Sequence, residues 1–152
     1  MTTRSYRDQA TYYRAALLLG LVDGTEVIAW ADDILHHDPR PPHEVTDLAL
    51  VPPLDLSAVR FALQPMADER ESPEILRAIL GVVLRDLGDG RRSVADTVRV
   101  LSQMARELAV PESMHWEIDA LVDDHMLAKA GVTKDLGDSE ERVREWLKRF
   151  PA

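Results

Sequence analysis

Cysteine is absent from the 152 residues, which excludes disulfides, thiolate metal sites and thiol nucleophiles. No apolar run approaches the roughly 18 to 20 residues that would span a bilayer, and the segment Met1 to Gln9 is polar, with Arg4, Arg7 and Asp8. A cytoplasmic protein with no membrane partner is expected. Positive charge is also in deficit. The net charge is -9 and the pI near 5.0, so a phosphate backbone would be repelled rather than bound, because nucleic-acid affinity rests on Lys and Arg displacing counterions. Acidity suits solubility and also speeds encounter with a basic protein. The chain has no Gly-x-Ser-x-Gly elbow, no Walker loop and no dinucleotide fingerprint. With no nucleophile, phosphate cradle or paired acid and base, no cofactor and no enzymatic activity are expected.

What is present is ordinary globular material, 45% apolar and 30% charged. A chain of this length fits one domain, since it can bury roughly 68 to 70% of its unfolded surface around a single core. A single domain over 1–152 is therefore expected. Helical periodicity recurs throughout, and no strand alternation is seen. Tyr6, Ala10, Tyr13, Leu17 and Leu21 mark a first helix, limited by Gly20 or Gly24. Val27, Ile28, Ala31, Ile34 and Leu35 mark a second, about Thr25 to His36, with Asp23 or Thr25 as its cap. Asp38-Pro-Arg-Pro-Pro-His43 breaks the chain, and short helices follow at about His43 to Leu50 and Ser57 to Gln64. Ser72-Pro73-Glu74 starts a helix that is apolar nearly all round, from Ile75 to Leu87, which suits the middle of a bundle. Ser93 with Asp96 opens the next. Another runs from Pro111 or Ser113 to Ala130, and Asp138 with Glu141 caps a last amphipathic lid anchored by Val143, Trp146, Leu147 and Phe150. The fold class is all-α: an antiparallel helical bundle or a short array of helical hairpins, with seven to eight helices.

One pattern recurs inside the chain. Arg14-Ala-Ala-Leu running into Asp23-Gly24 resembles Arg77-Ala-Ile-Leu running into Asp89-Gly90, and Asp86-Leu-Gly-Asp89 returns as Asp135-Leu-Gly-Asp138. Repeated helix-turn-helix units would produce this, and so would convergence on glycine as a helix stop and aspartate as a helix start.

The strongest chemical cluster is Glu112, His115 and Asp119, continuing to Asp123, Asp124 and His125, because Glu-x-x-His and spacings of four put ligating atoms on one helical face. Asp32, Asp33, His36 and His37 form a second, looser set. A carboxylate-bridged di-metal centre also needs glutamates from two further helices, and the apolar helix offers none, so no metal site is expected. The simpler assignment makes Glu112 a first-turn acid, Asp123 and Asp124 a solvated face, and His125 a hydrogen-bonded core or boundary residue beside Ile118, Leu121 and Val122. His37-Asp38 resembles the adjacent pair of metal-dependent phosphohydrolases, but Pro39 follows it and makes it a helix end. Arg85, Arg92, Arg99 and Arg106 recur every seven positions. Only Arg99 and Arg106 share a stripe, and Asp96 and Glu107 dilute it into a solvated face. Trp30 and Trp116, with Trp146, sit at the edges of apolar stripes, where aromatics either close a core rim or anchor a partner.

The stretch Leu19-Gly-Leu-Val-Asp-Gly-Thr-Glu-Val-Ile-Ala-Trp-Ala-Asp32, with Pro41-Pro42-His43-Glu44 and Asp47-Leu-Ala-Leu50, resembles small bacterial all-helical proteins of the immunity or accessory type found in toxin loci. It covers the first third of the chain and contains no catalytic motif. The resemblance implies a binding role. The expected function is thus a non-catalytic protein-binding module with an acidic surface for a basic partner, carried by Trp30, Asp32, Asp33, Trp116, Asp123 and Asp124. The alternatives are a self-assembling helical protein forming a homo-oligomer and, third, a helical metal-dependent enzyme.

Overall fold

The structure is a computed structural model that describes residues 5–132 and 136–150. Among them are eight α-helices and no strand: α1 (Tyr6–Leu18), α2 (Gly24–His37), α3 (His43–Ala49), α4 (Leu56–Leu63), α5 (Pro73–Gly88), α6 (Val94–Glu107), α7 (Glu112–Lys129) and α8 (Leu136–Leu147). A 3-10 turn, Gln64–Met66, follows α4. The chain divides into two compact units, Met1–Glu71 and Ser72–Ala152, with four of these helices in each.

Helix starts obey the side-chain chemistry visible in the sequence. The side chains of Ser5, Asp23, Asp55, Ser72 and Ser93 each accept a hydrogen bond from the amide three residues on, satisfying donors that the first turn leaves open. Asp96 does not complete a box around Ser93 in the usual way; its carboxylate takes a hydrogen bond from Arg99 at 2.7 Å. The last helix begins at Leu136, which puts Asp138 inside its first turn rather than at its cap, where it still favours the positive end of the helix dipole. Asp135, which opens the second Asp-Leu-Gly-Asp of the sequence, lies outside the described residues.

Three helices stop by one device. After α1, Gly20 at φ +72° lets the Leu21 amide reach the Ala16 carbonyl at 2.8 Å and its own amide reach Leu17 at 3.2 Å. After α5, Gly90 at φ +73° sets Arg91 on Asp86 at 2.9 Å and itself on Leu87 at 3.3 Å. After α7, Gly131 does the same with Val132 on Leu127 and itself on Ala128. These paired bonds are the Schellman arrangement, which requires a left-handed residue after the last helical turn. In the first two cases the third residue after the glycine, Asp23 or Ser93, caps a helix of 14 residues. The two turns therefore match in a register shifted from the sequence pattern, which turn chemistry alone can produce: Gly20, not Gly24, corresponds to Gly90, and α1 ends at Leu18 instead of running to Leu21.

The likeness extends to whole units. In the first, α1 packs on α4, α2 on α3, and α4 also on α2 and α3; in the second, α5 packs on α8, α6 on α7, and α8 also on α6 and α7. Both third helices, α3 and α7, start from a proline of the same conformation, Pro42 at φ -56°, ψ 145° and Pro111 at φ -56°, ψ 147°. The lengths differ. Helix α3 has 7 residues and α7 has 18.

The core of the first unit gathers Ala10, Leu17, Val27, Ala31, Ile34, Val45, Leu48, Val59, Leu63 and Met66. Gly24 is buried here because α2 starts against the backbone of Pro53; a Cβ at Gly24 would overlap the Pro53 carbonyl oxygen. The second core takes Ile75, Leu76, Ile79, Leu80, Val83 and Leu87 from α5, and it takes Leu101 and Met104 from α6, Ile118 from α7, and Val143, Trp146 and Leu147 from α8. The apolar helix α5 packs on α6 and α8, while α8, expected as a lid, packs on all three of its neighbours. Its buried Ser139, Val143, Trp146 and Leu147 explain the reversal: small and large residues one turn apart let it sink into the unit.

Candidate functional site

Burial in the first unit is uneven. Between α3 and α4 the chain leaves Leu50 80% and Leu54 91% exposed, and on α4 Leu56 is 50% and Phe61 77% exposed. Their neighbours Leu48, Val59 and Leu63 are fully buried, so this corner has already used the residues its core needs. The excess apolar groups are flanked by exposed Asp47 and by Asp55, whose side chain is engaged in capping α4. Large apolar side chains concentrated in one short stretch, with acidic neighbours, are what a protein-contacting surface presents. The sequence reading missed this corner because Leu50, Leu54 and Leu56 surround Pro52-Pro53, where no helical period reveals which side faces in. A cluster of leucines between two short helices was the available signal.

The six expected partner-binding residues separate into two groups. Trp30 is half-buried: its Nε1 donates to Gln9 Oε1 at 2.6 Å and its ring lies 5.1 Å from that of Tyr13. It closes the rim of the first core. Asp124 is likewise spent internally, accepting both Nε and an Nη of Arg142 at 2.7 to 2.9 Å across α7 and α8. Asp32, Asp33, Trp116 and Asp123 remain exposed, Trp116 at 67%. Asp33 lies 3.2 Å from His37. On α7, Trp116, Asp123 and Leu127 recur at helical spacing and share an outward face. The third tryptophan, Trp146, is buried and donates to Glu117 at 2.9 Å.

The carboxylate and imidazole cluster opens out in three dimensions. His115 Nδ1 sits 3.1 Å from Asp119 one turn along, whereas Glu112 stands exposed in the first turn of α7. Among the described residues no group of three His, Asp or Glu side chains comes together to hold a metal. The His37-Asp38 pair is a helix end, as its sequence suggests: Asp38 Oδ2 accepts the Tyr6 hydroxyl at 2.6 Å and Oδ1 accepts the Arg40 amide at 2.9 Å. These two donors, the tyrosine first, hold the Asp38 carboxyl below its ordinary range, and the same hydrogen bond raises the Tyr6 phenol. Burial, with a smaller push from Glu26, raises Tyr13.

The second unit contains a feature of another kind. Helices α6 and α7 flank an open groove of about 450 Å³. Val98 and Val122 line its base, and Arg99, Arg106 and Lys129 line it as well. Also lining it is His125, only 6% exposed, with neither ring nitrogen partnered. A buried imidazole without a hydrogen bond costs on the order of 1 to 3 kcal/mol, so an ordinary core would replace it by an apolar residue. Its burial was readable from the stripe it shares with Ile118 and Val122, but the hydrogen bond expected for it there is not formed, because no donor or acceptor among the described residues of the neighbouring elements reaches either ring nitrogen. Arg99 and Arg106 do share a stripe, and Lys129 on α7 turns that stripe into one side of a cationic groove.

No helix among the described residues is long and apolar enough to cross a membrane. Comparison of the chain with protein-family models, with curated proteins and with solved structures finds no match, so its fold and sites stand on their own geometry.

Proposed function

We propose that this protein is a non-catalytic protein-binding module of the immunity or accessory type, acting in the cytoplasm, and that it contacts a partner through the exposed apolar corner between α3 and α4. The observation that carries this reading is the exposure of Leu50, Leu54 and Phe61 at 80%, 91% and 77% in the more acidic of the two units. The first unit holds six Lys and Arg against twelve Asp and Glu. A partner that fits has an apolar patch edged by Lys or Arg, since opposite charge around an apolar centre directs docking and sets its orientation. Asp32 and Asp33 supply further acidic surface on α2. Self-assembly has less support, because Trp30 and Trp146 and the apolar face of α8 are consumed within their own units.

The test is gentle purification of the tagged protein from its own cells, compared with Leu54→Ser combined with Phe61→Ser. The wild type is expected to retain one basic partner in stoichiometric amount, and the variant to lose it while its circular dichroism is unchanged. Asp32→Lys with Asp33→Lys should slow association and flatten its salt dependence. A concentration-dependent mass of the purified wild type, abolished by the same apolar substitutions, would instead establish self-association.

A further inference from the structure

We infer that the groove between α6 and α7 is a binding site for a small amphiphilic carboxylate, a single acyl chain with an anionic head, distinct from the surface proposed for the protein partner. Charge is the first support. In a chain of net charge -9, three of the ten residues lining the groove are cations and none is a carboxylate. Arg99 is already paired with Asp96 at 2.7 Å. Arg106 and Lys129 form no ion pair among the described residues, which leaves two cations for an incoming anion.

Shape is the second support. A volume of about 450 Å³ falls in the range of clefts that enclose small ligands, and a helix, roughly 10 to 12 Å across with its side chains, would overfill it. Val98, Val122 and Met126 offer an apolar bed to a chain, and its head would reach Arg106 and Lys129. A headgroup alone would leave the bed empty, and a neutral chain would leave the cations unused.

The third support is His125. It is more than nine-tenths buried, lines the groove, and has no partner for either ring nitrogen. A neutral imidazole carries one donor and one acceptor. Both ring nitrogens are shielded from solvent, so the carboxylate oxygen of an occupant accepts from the donor once the ring turns toward the groove on binding, which makes this polar group a specificity element.

The experiment is titration of the full chain with decanoate, decanol, acetate and inorganic phosphate, followed by amide NMR. Decanoate is expected to bind saturably at one site, with shifts concentrated on α6 and α7 around Val98 and Val122. The other three should bind at least roughly tenfold more weakly. Arg106→Glu with Lys129→Glu, both at exposed positions, should weaken decanoate by roughly tenfold or more and leave decanol unchanged. His125→Phe should keep or raise the melting temperature and weaken decanoate several-fold; if that variant fails to fold, the charge reversals decide alone. The proposal is overturned by non-saturable binding, by shifts elsewhere, by decanol matching decanoate, by phosphate alone matching it, or by indifference to the charge reversals.

Discussion

The two units have the same plan and opposite surpluses. Each has a Schellman glycine, a capped helix of 14 residues, a proline-started third helix and a fourth helix that touches the other three or lies among them. In the first unit the third helix stops after 7 residues, and the chain turns through Pro52-Pro53 with leucines left outside. In the second the third helix runs on for 18 residues, and its added turns carry Val122, His125, Met126 and Lys129 alongside α6. Shifted by the same interval as Gly20 and Gly90, Arg99 and Arg106 correspond to Ala29 and His36. Lengthening one helix and placing two arginines on its neighbour converts a plain hairpin into a cationic groove. The two units thus differ most at the third helix, where a difference in length leaves the turn chemistry and the core intact.

The largest expected effect comes from a site where the units differ. Gly24→Ala forces a Cβ onto the Pro53 carbonyl, and relieving that backbone clash should cost about 3 kcal/mol. The second unit accepts buried Val94 at the matching position, one residue after the cap. Urea unfolding with amide exchange should place the loss on α1 to α4; a cost below about 1 kcal/mol would mean that the first unit yields as freely as the second.

A smaller effect should be equal in both units. Gly20→Ala and Gly90→Ala meet no atom within 4 Å, so only the left-handed backbone is penalised, by about 1 to 2 kcal/mol in each case. Unequal costs would show that the two turns, alike in their hydrogen bonds, differ in strain.

The smallest effect is peculiar to the first unit. Tyr6→Phe removes the donor that depresses the Asp38 carboxyl. Because a depressed carboxyl stabilises the fold above its unfolded value and ceases to do so once protonated, the gap in Tm between wild type and variant should be full at neutral pH. It should close as pH falls below 3.8, the ordinary value of the group. At high pH the raised Tyr6 favours the protonated form in the fold, so the same gap should shrink again as pH rises above 10.0. A gap independent of pH would assign the tyrosine a packing role alone.

Much of the fold was legible because it depends on local chemistry. Ser72, Ser93 and Asp23 name their helix starts, and alternation at threes and fours names the faces of α2 and α6. What was not legible depends on distant partners. Nothing near Trp30 in sequence announces Gln9, nothing near Asp124 announces Arg142, and the apolar composition of α5 does not tell that α8 would hold the central place. Length argues for one domain and is silent on the division at Glu71 and Ser72. The candidate sites follow the same rule: each arginine and leucine was visible, but the groove is a relation between two helices and the exposed corner is a relation between a turn and a core already full.

The placement of the three tryptophans gives this molecule its own optical labels. Trp30 is tucked against Tyr13 at the rim of the first core, Trp146 is buried 4.9 Å from the ring of Phe150 in the second, and Trp116 faces outward. Emission from the first two reports the two units separately once each is replaced in turn by phenylalanine. Trp116, open to collisional quenchers such as acrylamide, registers whatever comes to cover α7. A single chain thus reports the melting of either half, and any change in the exposure of α7, without an added dye.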